Sequence, residues 1–369
     1  MSGVLELFLD LAAIPSPPGD ERAVADRVAA ELRGIGLDVD EDGAGTAIDS
    51  NTGNLYCGLA PTAEGTPLFL CAHLDTVQPT GAIDPVVEDG VVRNAGGTIL
   101  GADNKAAVAA MVETARRLVE ERRPHAGLEL VFTPKEEVGL KGADAFDCSR
   151  LAAQVGFVYD QAGPIGEVVL GAPTASLVEV TFVGRAAHAG IAPEEGRSAI
   201  AAAARAIADM RLGRLDDETT ANVGTIEGGV ARNIVPARCS FSADVRSHDE
   251  QKLAEVVQEL IEACTFAASL TGCEVETCVQ PSYKGYRFRR EDEPVRLARA
   301  ALERTGHEPS FSLSGGGADA NVFNLRGLAC VNIANGMAEI HSPDEHIAVA
   351  DLEDMVEVGL ALVEEARAA

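Results

Sequence analysis

Short apolar runs alternate with longer stretches of helical spacing through the first half of the chain. Runs rich in aromatic and β-branched residues predict strands, whereas apolar residues that recur every three or four positions predict helices. The predicted strands are residues 54–60, 66–72, 128–134 and 155–160, and the predicted helices are residues 21–36 and 106–121. Apolar strands interleaved with helices are typical of an α/β sheet that is covered on both faces.

The pattern changes from about Thr174, where apolar and polar residues begin to alternate. This alternation predicts a sheet with one face in solvent. From there to residue 285 the predicted elements follow the order β-α-β-β-α-β, which is that of a ferredoxin-like module. The α/β pattern then returns, with a buried strand at 328–335 and helices at 294–306 and 349–368. We therefore predict an α/β domain, residues 1–173 and 286–369, interrupted by an α+β module at 174–285.

The chain is strongly acidic, with 30 Lys and Arg residues against 58 Asp and Glu residues and a formal net charge of −28. Proteins that bind nucleic acid or anionic membranes need a basic face, so this charge argues against both classes. Trp is absent and aromatic residues make up 4% of the chain, which also disfavours base stacking. Histidines and carboxylates, by contrast, are ligands that divalent metal ions prefer.

The sequence gives no sign of a membrane span or of secretion. No apolar run approaches the roughly 20 residues that a transmembrane helix needs. The N-terminal stretch lacks a basic flank, and Glu6 and Asp10 interrupt its apolar residues, which predicts an amphipathic helix rather than a signal peptide. The eight cysteines form no CxxC pair and lie mostly within apolar runs, as buried thiols do. We expect a protein of the reducing cytoplasm.

Side chains with metal-binding chemistry follow the predicted strands at the point where each strand ends. They are His73, Asp75, Glu136, Glu137, Asp160 and His341, joined by Asp103 at the start of a helix. Ligands of open α/β sheets bind at the carboxyl ends of the strands, so we expect these side chains to gather at one edge.

Each position also has a simpler explanation. An Asp before a helix is commonly an N-cap, which is the alternative for Asp103. A Glu pair is commonly a solvated loop, and a His after a strand is commonly a surface or capped residue. The coincidence of all these positions at one predicted edge favours a shared metal site.

Eight segments of the chain carry a resemblance to a known family. They are HLDTV (73–77), GADNKAAVAAM (101–111), TPKEEVGLKGA (133–143), VYD (158–160), AAHAG (186–190), RNIVP (232–236), SGGGADANVFN (314–324) and IHSPDEHI (340–347). In this order they resemble the co-catalytic zinc metallopeptidases that include peptidase T, aminoacylase and carboxypeptidase G, and above all the peptidase T-like (tripeptide aminopeptidase) branch. The resemblance covers essentially the whole chain, and it implies a mixed-sheet catalytic domain with an inserted ferredoxin-like lid and dimerisation domain.

The resemblance implies a site for two Zn²⁺ ions. His73 and Asp160 would hold one ion, Glu137 and His341 the other, and Asp103 would bridge the two. Histidine nitrogen and carboxylate oxygen suit Zn²⁺, and carboxylate-rich ligation also accepts Mn²⁺ or Co²⁺. Two ions about 3.5–4 Å apart can share a hydroxide and stabilise a tetrahedral transition state.

Asp75 and Glu136 supply the remaining carboxylates at this edge. Asp75 lies two residues after His73, so on an extended segment it faces the same side and can accept the free N–H of that histidine. Glu136 matches the general base of the family, which takes the proton of the water between the ions and passes it to the leaving amine.

The lid carries the residues that are expected to contact substrate. His188 matches a family residue that helps to stabilise the oxyanion, often across a dimer, and a surface-turn histidine is the alternative. Asn233 and Arg246 match positions that contact polar groups of the substrate, although Arg246 could equally be a strand-end ion-pair residue. The loop at Gly315 and Gly316 precedes a short helix, and its N–H groups could hold a carboxylate.

This loop also departs from peptidase T proper, which carries a basic residue just ahead of the Gly pair where this chain has Ser314 and Gly315. The recognition of a peptide carboxylate is therefore left open. The loop lacks the GK[ST] ending of a phosphate loop, so nucleotide binding is not expected. Glu345, close to His341, fits a loop-stabilising role better than a catalytic one.

These observations predict a metal-dependent aminopeptidase that hydrolyses amide bonds in short peptides. One alternative is an N-acyl-amino-acid deacylase with the same two-metal centre. Another is a metal-binding interaction protein without catalysis, which Glu136 disfavours because such a protein needs no general base. The expected partners are a small peptide substrate and a second copy of the chain through the lid, without nucleic acid or membrane.

Overall fold

The computed structural model describes residues 3–368, so Met1 and Ser2 of the predicted N-terminal helix and Ala369 lie outside the described residues. The helices are α1 (Gly3–Ala12), α2 (Arg22–Gly34), α3 (Ala44–Ile48), α4 (Ala102–Glu120), α5 (Lys141–Ala145), α6 (Ala199–Asp209), α7 (Glu250–Thr271), α8 (Glu293–Arg304), α9 (Asp319–Leu325) and α10 (Val349–Ala368). The strands are β1 (Val39–Glu41), β2 (Leu55–Leu59), β3 (Leu68–His73), β4 (Pro85–Glu88), β5 (Val91–Asn94), β6 (Leu128–Thr133), β7 (Val155–Gln161), β8 (Glu167–Ala172), β9 (Thr174–Val183), β10 (Gly213–Arg214), β11 (Thr219–Gly228), β12 (Arg238–Ser247), β13 (Glu274–Tyr283), β14 (Tyr286–Arg287), β15 (Ser310–Leu313), β16 (Ala329–Ala334) and β17 (His346–Ala348).

The chain divides into two compact units. Unit 1 consists of Met1–Gly171, Arg287–Ser314 and Ala318–Ala369, and unit 2 consists of Ala172–Tyr286 together with Gly315–Gly317. The roles of these units, as a catalytic domain and a lid, stay a prediction at this point.

Unit 1 is built on a mixed sheet with the strand order β1-β2-β6-β3-β7-β16-β8, and β15 pairs with β8. The central strands β6, β3, β7 and β16 run parallel, whereas β2 is antiparallel to β6 and β8 is antiparallel to β16. The predicted α/β fold with a mixed sheet is confirmed.

The central strand β3 shows why its sequence lacks a polar alternation. Leu68 and Leu70 belong to the main core of unit 1, in which α1, α2, α4, α8 and α10 bury their apolar residues. The intervening Phe69 contacts Phe323 of α9, with 5.0 Å between the ring centroids. Both faces of the strand are therefore covered, and every residue of β3 is buried.

Sequence patterning missed a small second sheet in unit 1, with the order β17-β5-β4. Its strands have three or four residues each, and β4 has no buried residue. Strands this short and exposed carry too few apolar positions to show a period of two. Strands β8 and β15 were also absent from the prediction.

Unit 2 contains an antiparallel sheet with the order β10-β11-β12-β9-β13. The elements from β9 to β13 follow the predicted order β-α-β-β-α-β, with the two-residue strand β10 added before β11. Alternate residues of β9 and β12, among them Phe182 and Phe241, pack against α6 and α7 in a core of their own. The carboxylate of Asp249 caps α7 by accepting the N–H groups of Gln251 and Lys252. Among the described residues, no helix combines the length and the apolar character needed to cross a membrane.

Candidate metal centre

The predicted ligands come together in unit 1 at the carboxyl ends of its central strands. His73 is the last residue of β3, Asp160 lies near the end of β7, and Glu137 follows β6. Asp103 lies in the first turn of α4, and His341 lies in the loop before β17. Parallel strands place their carboxyl ends at one edge, which is why residues far apart in sequence meet here.

Asp103 lies between the two histidines. Its Oδ1 is 3.1 Å from Nε2 of His73, and its Oδ2 is 3.2 Å from Nε2 of His341. Nε2 of His73 is also 3.4 Å from Oδ1 of Asp160, and Nε2 of His341 is 3.1 Å from Oε1 of Glu137. One carboxylate that offers an oxygen to each of two histidines has the geometry of a bridging ligand.

Two groups of ligand atoms are compact enough to hold a metal ion. His73, Asp103 and Glu137 form one group and His73, Glu136 and Asp160 form the other, with all ligand atoms of a group within 4.8 Å of one another. Glu136, which the sequence assigns to proton transfer, thus also lies within reach of an ion.

The cluster concentrates negative charge away from water. Glu136 is buried, and the side chains of Asp103, Glu137 and Asp160 are 7%, 8% and 9% exposed. Only His341, at 46%, faces solvent to a large degree. Buried carboxylates in such number are tolerated only when they are protonated or compensated by cations, and the residues present fit a pair of divalent ions.

Burial and the neighbouring charges shift the pKa values of several side chains in the cluster. Burial raises the pKa of Glu136 well above its ordinary range and that of Asp160 to about 7. Burial alone would lower the pKa of His73, but the nearby Asp160 and Asp103 outweigh it and raise that pKa. Contacts with Asp103 and Glu137 raise the pKa of His341 to about 10. A carboxyl group with a raised pKa is suited to accept a proton near neutral pH.

Asp75 is fully buried and forms hydrogen bonds with three residues of the site. Its Oδ1 accepts the backbone N–H of Glu136 at 2.9 Å, and its Oδ2 accepts that of Glu137 at 3.1 Å. Its carbonyl oxygen, rather than the carboxylate named from the sequence, is the nearest acceptor for Nδ1 of His73, at 2.9 Å against 3.6 Å. A carbonyl can only accept, so Nδ1 carries the proton and Nε2 is left to face Asp103 and Asp160.

Asn332 is a part of the site that sequence reasoning missed. Its Oδ1 accepts the N–H of Asp160 at 2.9 Å, and its Nδ2 donates to the carbonyl of Asp160 at 3.1 Å. This pair of bonds fixes the backbone that carries Asp160. The available signal was a polar residue inside the apolar run LACVNIAN, because a buried amide must find partners.

Asp319 is a second residue that the sequence did not single out. It is buried beneath the site, where its Oδ2 accepts the hydroxyl of Thr133 at 2.5 Å and lies 3.6 Å from the thiol of Cys71. Its Oδ1 is buried without a hydrogen-bond partner among the described residues. Burial raises the pKa of Asp319 to about 6.

The predicted substrate residues of the lid fall into two pairs within unit 2. His188 and Asn233 lie on adjacent exposed segments, joined by a bond from the N–H of Ala189 to the carbonyl of Asn233 at 3.0 Å. Arg246 lies near the carbonyl of Gly315, at 3.4 Å, and forms an ion pair with Asp244 at 2.7 Å.

The two pairs lie at opposite ends of the sheet of unit 2. Val183, after which the chain leads to His188, pairs with Arg238, whereas Ala175 at the other end of β9 pairs with Arg246. Eight residues of extended strand separate these ends by about 26 Å. Gly316 lies beside Gly315 in the segment that joins unit 2.

Comparison with known proteins gives consistent similarities. A family model described as Peptidase dimerisation domain, from the M20 peptidases, matches residues 172–269, and one described as Peptidase family M28 matches residues 54–188. The chain is similar to the crystal structure of aminopeptidase PepT from Bacillus cereus, with 39% identity, a TM-score of 0.87 and coverage of 99% of this chain and 98% of that one.

Two further relatives extend this comparison. A tripeptidase structure from Staphylococcus aureus has 34% identity, a TM-score of 0.93 and coverage of 100% of this chain and 98% of that one. Peptidase T from Vibrio parahaemolyticus is 31% identical over 73% of this chain and 66% of its own length. Sequence and fold are thus similar to the two solved structures along 99% and 100% of this chain, and the sequence is similar to peptidase T along 73% of it.

Proposed function

The chain belongs to the M20 peptidases, in their peptidase T-like group, and from this premise we propose that it is a two-zinc aminopeptidase that acts on short peptides. The observation that carries the proposal is the carboxylate of Asp103, which offers one oxygen to His73 and the other to His341. The names of the similar structures, an aminopeptidase and a tripeptidase, support the choice of a peptide substrate.

Five side chains would hold the two ions. His73 and Asp160 would ligate one ion, Glu137 and His341 would ligate the other, and Asp103 would ligate both. The contacts of 3.1–3.4 Å between these groups support this division. When bound, the ions polarise the carbonyl of the scissile bond and lower the pKa of a water molecule. Mn²⁺ or Co²⁺ can replace Zn²⁺ in a site so rich in carboxylates.

Glu136 would act as the general base. It accepts a proton from the attacking water and then donates that proton to the leaving amine. Its burial and its raised pKa support both halves of this role, because the protonated form is stabilised between the two transfers. Asp75 orients Glu136 through the backbone N–H bond and orients His73 through the carbonyl bond.

Unit 2 would be the lid and the dimerisation domain. The match of residues 172–269 to a dimerisation domain supports a homodimer. A tripeptide spans only about 10 Å when extended, so it does not reach both His188 and Arg246 of one chain. We propose that His188 stabilises the oxyanion in the site of the partner copy, while Asn233, Arg246 and the N–H groups of Gly315 and Gly316 contact polar groups of the substrate.

The alternative is an N-acyl-amino-acid deacylase with the same two-metal centre. The proposed metal ligands and Glu136 act on the amide bond itself and do not select between a peptide and an acylated amino acid. A third reading, metal binding without catalysis, is disfavoured by the buried Glu136. The eight cysteines are all free thiols, which supports the proposal that the protein works in the reducing cytoplasm.

A substrate panel tests the proposed function. The purified protein, supplied with Zn²⁺, Mn²⁺ or Co²⁺, is assayed on Ala-Ala-Ala, on dipeptides and on N-acetyl and N-succinyl amino acids. We expect the tripeptide to be hydrolysed fastest, with release of its N-terminal residue. Preference for the acylated amino acids would establish the deacylase, and metal binding without hydrolysis of any amide would contradict both enzymes.

A further inference from the structure

Glu345 is a buried carboxylate that contacts the backbone of the bridging ligand. It is 2% exposed. Its Oε2 accepts the N–H groups of Leu100 and Gly101 at 2.8 and 2.9 Å, and its Oε1 accepts the N–H of Asp103 at 2.9 Å. All of these residues belong to unit 1. Three charge-assisted hydrogen bonds thus converge on one side chain.

These bonds hold the segment that leads into α4. The N-cap residue assigned to α4, Gly101, has no side chain, and Asp103 and Asn104 depart from helical φ and ψ, so the regular helix begins after them. The backbone N–H groups of this entry segment lack partners within the helix and need other acceptors. Because Glu345 accepts three of them, the carboxylate of Asp103 is left to face His73 and His341.

Glu345 also belongs to the loop that carries His341. Its N–H donates to the carbonyl of Ser342 at 3.2 Å, and the hydroxyl of Ser342 donates to the carbonyl of Glu339 at 2.7 Å. His341 itself has φ +62° and is the most exposed of the five candidate ligands. The loop is therefore tied internally, and Glu345 joins it to the segment of Asp103.

We propose that Glu345 is a positioning residue that sets the geometry between Asp103 and His341 and thereby the affinity for the ion held by Glu137 and His341. This inference rests on the proposed two-metal site. A carboxylate outside the set of ligands that orients a ligand typically changes metal affinity or activity by about 10–100-fold when it is replaced. The alternative role is that of a helix cap alone, which would affect stability and leave metal affinity unchanged.

Glu345→Gln tests the proposal, because the amide keeps the size of the side chain but turns a donor toward backbone donors. Glu129→Gln is the matched control. Glu129 is also buried and accepts the N–H groups of Ala152 and Ala153, at 3.1 and 2.8 Å, and the hydroxyl of Tyr56, at 2.7 Å. It lies near the start of β6, at the end of the strand opposite to the site.

The affinity of the full-length protein for each of two Zn²⁺ ions is measured by competition with a chromogenic chelator, and the melting temperature of the metal-free protein is measured in parallel. We expect both variants to have a lower melting temperature than the wild type. Only Glu345→Gln should weaken zinc binding, by about 10–100-fold and most strongly for the ion held by Glu137 and His341. Glu345→Asp keeps two acceptor oxygens and should recover a part of this affinity, and it serves as the test if Glu345→Gln does not fold.

Three outcomes would overturn the inference. The first is that Glu345→Gln binds both ions as tightly as the wild type, and the second is that Glu129→Gln loses as much affinity as Glu345→Gln. The third applies if Glu345→Gln does not fold, and it is that Glu345→Asp binds both ions with wild-type affinity. Failure of the wild-type protein to bind any divalent ion is a different result, because it would overturn the proposed function itself. The wild-type titration therefore separates the two failures.

Discussion

The carboxylate of Asp75 accepts the backbone N–H of Glu136 at 2.9 Å, so the proposed general base is oriented through its main chain. The second oxygen of Asp75 accepts the N–H of Glu137, the neighbouring ligand. One buried side chain therefore positions both a proton acceptor and a metal ligand, and its carbonyl orients His73 as well.

Replacing Asp75 with Asn should impair metal binding and turnover together. The amide turns an N–H toward a backbone donor, and a buried group left unsatisfied costs about 1–3 kcal/mol. We expect kcat/KM and zinc affinity each to fall by about 10–100-fold, as measured by steady-state kinetics and chelator competition. Asp147→Asn is the control, because this exposed Asp in unit 1 also accepts a backbone N–H, from Ser149 at 3.0 Å. Equal losses in both variants would show that Asp75 has no special role.

The adjacent glutamates should separate catalysis from metal binding. Glu136→Gln removes the proton acceptor, so kcat should fall by about 10²–10⁴-fold while two zinc ions per chain are retained. Glu137→Gln removes a ligand, so it should lower the zinc content measured by mass spectrometry of the dialysed protein. A Glu136→Gln variant with near-wild-type turnover would rule out the assignment of the base.

His188 should act on the site of a partner copy. His188→Ala homodimers should be nearly inactive because loss of one oxyanion donor costs about 10²–10³-fold in rate. Glu136→Gln homodimers should be nearly inactive because they lack the general base. When the two chains are co-expressed, half of the dimers are mixed and one of their two sites is complete, which restores about a quarter of the wild-type activity.

The control for this complementation is co-expression of Glu136→Gln with a chain that carries both substitutions, in which no site can be complete. Activity of the mixed sample at the level of this control would show that His188 does not act between copies.

Asp319 should make the stability of the metal-free protein depend on pH. Burial raises its pKa from 3.8 to about 6, so the folded protein holds this proton more tightly than the unfolded chain does. Between these values the folded protein binds more protons, and stability falls as the pH rises. Asp319→Asn cannot ionise and escapes this loss, which is on the order of 3 kcal/mol.

The melting temperature of Asp319→Asn, measured in the presence of a chelator, should therefore rise relative to that of the wild type as the pH increases from 3.8 to about 6. A difference between the two proteins that stays constant over this range would contradict the account of Asp319.

Strong sequence patterns predicted the main elements closely. Residues 128–134 were predicted as a strand and form Leu128–Thr133, and residues 349–368 were predicted as a helix and form Val349–Ala368. The strand is rich in apolar residues because both of its faces are covered, and the helix repeats apolar residues every three or four positions. The carboxyl ends of the predicted strands also indicated where the candidate metal ligands would lie.

The contacts that support the ligands could not be predicted. Asn332 and Asp160 are separated by 172 positions, and Glu345 and Leu100 by 245. In both contacts a side chain bonds to a backbone group. Every residue offers the same backbone groups, so the pattern of side chains does not indicate which residue will be the partner. The carbonyl of Asp75, which is nearer to His73 than its carboxylate is, is hidden from the sequence for the same reason.

The central claim is that Asp103 joins two metal positions in a peptidase site, and a zinc titration of the chelator-stripped protein tests it most directly. Hydrolysis of Ala-Ala-Ala and bound zinc are followed in the same titration for the wild type and for Asp103→Ala. We expect the wild-type activity to be absent without metal and to reach its maximum at two ions per chain, whereas Asp103→Ala should lose affinity for both ions and stay inactive. Full activity of the stripped wild-type protein, or two tightly bound ions in Asp103→Ala, would contradict the account.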